Sequence, residues 1–111
     1  MSKGWIGVDL DGTLAFYDEW RGSTHIGAPI PEMVERVKGW RDDHLEVRIF
    51  TARVQDDVFE VYETIAAWCL EHLGEILPIT NKKDFSMICL YDDRCVQVEK
   101  NTGKLLSEEF I

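Results

Sequence analysis

Three short apolar runs in this chain each end in a polar cluster, and that repetition constrains the fold more than any other feature. Trp5-Ile6-Gly7-Val8 and Leu10 frame Asp9 and Asp11; Val47-Arg48-Ile49-Phe50 leads to Thr51-Ala52-Arg53; Met87-Ile88-Cys89-Leu90-Tyr91 leads to Asp92-Asp93-Arg94. The runs are rich in strand formers and stop at turn signals such as Asp11-Gly12-Thr13. Helical patterns lie between them. Met33, Val34, Val37 and Trp40 recur at helical spacing behind Pro31, so residues 31–43 read as an amphipathic helix. Val58, Val61, Tyr62, Ile65, Ala66, Trp68 and Cys69 give a second helix from about Asp56 to His72, with Gly74 as its stop. Residues 76–79 and 95–98 read as further short extended segments, and Asn101-Thr102-Gly103 as a turn.

Strands alternating with helices predict βαβ units. The expected class is α/β: a Rossmann-like three-layer αβα sandwich with a mostly parallel sheet covered on both faces. Ligands of such sheets bind beyond the carboxyl ends of the strands. One aspartate at a strand end is common; polar clusters at three strand ends point to a shared site. Residues 1–111 suit a single domain. Residues 15–30 mix aromatics, charges and glycines without a period and read as a long loop or flap. Phe16, Tyr17 and Trp20 lie in it, placed either to stack on a base or to pack locally.

The formal net charge of −9 disfavours strong non-specific binding to nucleic acid or to an anionic membrane, and it suits recruitment of a divalent cation. The apolar run before Asp9 is too short for a signal peptide or a membrane span. Three cysteines without a short repeated spacing argue against a disulfide framework or a zinc knuckle. A cytoplasmic protein is the expectation. Cys69 and Cys89 are expected in the core, as are Trp5, Trp40 and Trp68. His25, His44 and His72 show no ligand spacing and read as surface or helix-end residues.

The chemistry rests on Asp9 and Asp11. Two carboxylates at i and i+2 face one site if the chain turns between them, and Gly12 permits that turn. A carboxylate beside a hard cation can attack phosphorus, and a second, protonated carboxyl can serve the leaving oxygen. The two roles need different protonation states. Asp92 and Asp93 would complete an oxygen shell for Mg²⁺. The Thr51 hydroxyl and its neighbouring backbone N–H groups suit phosphate oxygens, and Lys82 or Lys83 would neutralise charge. Simpler readings exist. Thr51 caps a helix, Lys82-Lys83 is a solvated pair, and Asp92-Asp93-Arg94 is a surface turn. A calcium loop starting at Asp9 would need a glutamate where Trp20 stands.

In order and spacing, Asp9-Leu10-Asp11-Gly12-Thr13-Leu14, Phe50-Thr51, a lysine at 82 or 83 and Tyr91-Asp92-Asp93 resemble the four motifs of haloacid dehalogenase superfamily phosphatases. The resemblance spans roughly residues 4–98. It implies Asp9 as nucleophile and metal ligand, with Asp11 as general acid/base and metal ligand through its carbonyl. It further implies Thr51, Ala52, Arg53 and Lys82 as phosphate-binding residues and Lys83 as the catalytic lysine, with Lys82 as its alternative. Asp92 would bind Mg²⁺ directly, and Asp93 directly or through water. Residues 15–50 are too few for a cap domain beside the helix, so the chain looks like a capless member. Thr51-Ala52-Arg53 and Asp92-Asp93-Arg94 are also similar to the phosphatase part of polynucleotide kinase-phosphatases and to small phage-encoded relatives. The expected activity is phosphomonoester hydrolysis through an aspartyl-phosphate. The expected substrate is a phosphorylated small molecule, a nucleotide or a polynucleotide 3′-phosphate end. A phosphotransferase or a non-catalytic metal- and phosphate-binding module of the same fold is the alternative. A receiver-like domain ranks below both, because Asp9 and Asp11 share one strand end.

Overall fold

The first apolar run forms strand β1 (Trp5–Asp9), and burial on both faces makes it a central strand of the sheet. In the computed structural model, which describes residues 3–109, β1 pairs with β2 (Glu46–Phe50) on one side and β4 (Met87–Tyr91) on the other. A short β3 (Ile79–Thr80) extends the sheet beyond β2. The order is β3-β2-β1-β4, and every pairing is parallel. Helix α1 (Pro31–Asp42) links β1 to β2, and α2 (Phe59–Leu73) lies between β2 and β3. Asp9 is in register with Phe50, and Val8 with Tyr91. The chain therefore leaves three neighbouring strands at Asp9, Thr51 and Asp92 along one edge.

Period-two alternation sets the core. Ile6 and Val8 of β1 and Val47 and Ile49 of β2 join Val34 and Val37 of α1 and Ile65 and Cys69 of α2 in one buried cluster. Each large aliphatic side chain buried there contributes roughly 1.5–3 kcal/mol. Both helices thus cover the same face of the sheet. The α/β class and the Rossmann-like parallel sheet are present as expected, but the layering is simpler than an αβα sandwich. Among the described residues no helix covers the second face. Residues 81–86 are too few to hold a helix and still cross from β3 to β4. They cross that face as an extended link instead. Asp84 in the link accepts the Trp5 indole N–H at 2.8 Å. The Arg48 guanidinium lies 4.4 Å from the centre of the Trp5 ring, and Phe50 stacks on Trp5 at 6.5 Å.

Other expectations need smaller corrections. Helix α2 starts at Phe59, later than expected, because a 3-10 turn (Ala52–Val54) follows Thr51 and Asp57 adopts a left-handed φ of 53°. Gly74 ends α2 at φ 85°, as its position implied. The segment 76–79 contributes only its last residue to β3. Residues 95–98 form no strand; Val98 makes a single antiparallel bridge to Leu105 around the turn at Asn101 and Gly103. Cys69 is buried, whereas Cys89 is exposed because β4 is an edge strand. Trp5 and Trp68 are buried, and half-buried Trp40 packs on Tyr91 at 4.8 Å. His44 follows α1, and His72 lies in the last turn of α2. No helix among the described residues is long and apolar enough to cross a membrane.

The loop at 15–30 is closed at its base. Ala15 bridges Pro29, the Phe16 N–H donates to Ala28 at 2.8 Å, and the Trp68 indole donates to the Gly27 carbonyl at 3.0 Å.

Candidate functional site

After Asp9 the chain coils tightly. The Leu10 carbonyl accepts from the N–H groups of Leu14 at 3.0 Å and Ala15 at 2.8 Å. Gly12 carries the turn at φ 91°. This brings Thr13 back toward the end of β1, where its hydroxyl lies 3.4 Å from Asp9 Oδ2 and 3.0 Å from Asp93 Oδ1. One hydroxyl proton serves one acceptor best, so the bond to Asp93 dominates. Thr13 also accepts the Asp93 N–H at 3.0 Å. Asp92 is held by its own turn, accepting the Arg94 N–H at 2.8 Å.

Asp9, Asp92 and Asp93 each offer a carboxylate oxygen, and these oxygens lie within 4.8 Å of one another. Partial burial, the hydrogen bond with Asp93 and the charges of Asp92, Asp93 and Asp11 push Asp9 up to about 8. Like charges gathered at a half-buried spot are relieved by a proton or by a cation. The donor set, three carboxylates with no nitrogen or sulfur, fits a hard divalent cation such as Mg²⁺.

Asp11 turns elsewhere. Both of its oxygens sit in the fork of Arg53, with Nε at 2.7 Å and Nη2 at 2.9 Å. Thr51 is 2% exposed and accepts the Arg53 backbone N–H at 3.2 Å, so it caps the 3-10 turn while keeping its own hydroxyl proton to donate. Ala52 is exposed in that turn. Lys82 and Lys83 are exposed on the link after β3; among the described residues neither makes an ion pair with a site carboxylate. A cleft of about 240 Å³ lies between the loop and the Asp11–Arg53 pair, walled also by Phe16, Tyr17 and His25; Asp9, Asp92 and Asp93 are not part of its lining.

The structure thus gathers Asp9, Asp92 and Asp93, sets Thr51, Arg53 and Asp11 beside them, and leaves both lysines outside these contacts. Sequence reasoning gave Thr13 no role, although a hydroxyl one turn beyond the first aspartate was the available signal. Gly12 is also more than a turn residue. A β-carbon there would lie 2.6 Å from Asp93 Oδ2. Gly12→Ala is expected to cost about 1–3 kcal/mol in backbone strain and, by displacing Asp93, to weaken about tenfold or more any Mg²⁺ binding at the three carboxylates. Gly22→Ala is a control: its φ is 102° but its surroundings are open, so it carries the strain without the metal defect. Thermal melts and calorimetric Mg²⁺ titration separate the two.

No protein-family model and no curated protein matches the chain. Among solved structures it is similar to a conserved protein from Bacteroides thetaiotaomicron, with 23% identity and a TM-score of 0.63 over 86% of this chain and 79% of that one. At that identity the likeness shows a shared fold: the chain is an α/β domain built on a Rossmann-like parallel sheet.

Proposed function

We propose that this chain is a Mg²⁺-dependent phosphohydrolase of the haloacid dehalogenase type, acting on phosphomonoesters through an aspartyl-phosphate at Asp9. The convergence of Asp9, Asp92 and Asp93 within 4.8 Å at the carboxyl edge of a parallel sheet carries this reading. The raised Asp9 supports it, because functional carboxylates are often perturbed in this way.

Asp9, Asp92 and Asp93 would hold Mg²⁺, together with the Asp11 carbonyl that the motif implies. Bound there, the ion would supply charge neutralisation for phosphoryl transfer. A carboxylate oxygen of Asp9 attacks phosphorus, and the ester P–O bond breaks. The departing oxygen takes a proton from Asp11. A water then attacks the phosphorus, returns a proton to Asp11, and breaks the bond to Asp9, releasing inorganic phosphate. The fork of Arg53 holds both Asp11 oxygens and so fixes the orientation of this carboxyl. Thr51 donates its hydroxyl to a phosphate oxygen.

The exposed aromatics Phe16 and Tyr17 in the cleft wall favour a nucleotide or polynucleotide 3′-phosphate end. The test is hydrolysis of p-nitrophenyl phosphate with Mg²⁺ and with EDTA. A panel of nucleotides, sugar phosphates, phosphopeptides and 3′-phosphorylated oligonucleotides follows. Mg²⁺-dependent release with preference for 3′-phosphorylated ends is expected. A folded protein without Mg²⁺-dependent turnover of any ester defeats the hydrolase reading, and transfer to an added alcohol in preference to water assigns a phosphotransferase.

A further inference from the structure

We propose that Arg53 is a positioning residue, which aims Asp11 and docks the tip of the 16–28 loop, and does not bind phosphate. Its side chain is only 5% exposed. A guanidinium has five N–H donors. Besides the two bonds to Asp11, Nη2 donates to the His25 carbonyl at 2.8 Å and Nη1 to the Ser23 carbonyl at 3.3 Å. The Trp20 ring stands over the guanidinium at 5.0 Å. One donor is left, too few for the two-pronged grip with which arginine takes a phosphate.

The same bonds bear on the loop. Within 17–25 the polar contacts are internal, Arg21 with Asp18 and Glu19, and the His25 N–H with the Gly22 carbonyl. Among the described residues, the polar contacts joining this tip to the rest of the domain run through Arg53. One side chain therefore sets the orientation of Asp11 and the position of a cleft wall together. The docking role is independent of the activity; the role toward Asp11 rests on the proposed hydrolase reading.

The experiment compares the full chain with Arg53→Lys, which keeps the charge and loses the fork, and with Trp20→Leu, at a ring that is 58% exposed. Amide exchange in 17–25 should quicken about tenfold or more in Arg53→Lys and less in Trp20→Leu, with β1 and α2 unchanged. With p-nitrophenyl phosphate, kcat should fall about tenfold in Arg53→Lys, while the inhibition constant of inorganic phosphate stays within about threefold. In an Asp11→Asn background the Arg53 change should add no further loss, because it acts through Asp11. A phosphate inhibition constant raised about tenfold with kcat retained assigns Arg53 to phosphate and overturns the proposal. Unchanged exchange in both variants overturns the docking role. If the wild type shows no Mg²⁺-dependent turnover, the hydrolase reading falls by itself, and the exchange measurement still decides the docking.

Discussion

Asp9→Asn is expected to abolish Mg²⁺-dependent hydrolysis, by roughly 10⁴-fold or more, and also to stabilise the metal-free protein at pH 8. The first effect is loss of the attacking oxygen. The second comes from the environment of Asp9, which moves its carboxyl from an ordinary 3.8 to about 8 in the folded chain. A carboxyl raised by folding contributes stability that is fully present below about pH 4. That contribution is lost progressively as pH rises to about 8. Metal-free wild type therefore weakens across this window, while asparagine, never charged, does not follow it. Allowing for screening at a partly exposed site, the gain at pH 8 is about 1–2 kcal/mol, roughly 5–15 °C in Tm for a domain of this size. At pH 5 the gap should be smaller. Thermal melts in EDTA at both pH values read it directly. Equal gaps at pH 5 and pH 8, or normal turnover in a folded asparagine variant, would contradict the assignment.

Mg²⁺ should produce the second large effect. Binding to the folded state at a hundred times the dissociation constant stabilises by about 2.7 kcal/mol, about 10–20 °C in Tm. The ligands must be deprotonated, so the shift should grow with pH and oppose the metal-free trend. Asp93→Asn removes a proposed ligand and part of the repulsion on Asp9 together, so its metal-induced shift should shrink to a few degrees or vanish. Melts with MgCl₂ against NaCl of matched ionic strength make the comparison. An equal shift in NaCl, or an undiminished Mg²⁺ shift in Asp93→Asn, would remove the metal site from the account.

Much of the sheet was legible because Trp5-Ile6-Gly7-Val8, Val47–Phe50 and Met87–Tyr91 carry strand composition and stop at turns. The convergence of Asp9, Thr51 and Asp92 followed from parallel strands sharing a carboxyl edge. The missing layer was not legible, because it depends on strand order. Right-handed crossovers that add β2 and then β3 in one direction put α1 and α2 on the same face. Exposure of Cys89 has the same origin, since only the order makes β4 an edge. The late start of α2 turns on the left-handed Asp57, a residue type that adopts that conformation more readily than most. Thr13 meeting Asp93 and Arg53 meeting Asp11 join residues 80 and 42 positions apart. No local pattern announces such pairs.

The closed base of the 15–30 loop has a consequence for how such a protein diversifies. Ala15 bridges Pro29, and the Ile30 N–H donates to the Leu14 carbonyl at 2.8 Å, so the chain returns to its starting point before α1 begins. What lies between therefore leaves and re-enters the domain at one point. Residues inserted or deleted at its tip leave the span from Leu14 to Ile30 unaltered, and with it the placement of Asp9 beside Asp92 and Asp93. Under the proposed function, selectivity could drift by exchange of this segment while the carboxylates stay in place, provided each replacement offered Arg53 two carbonyls to hold.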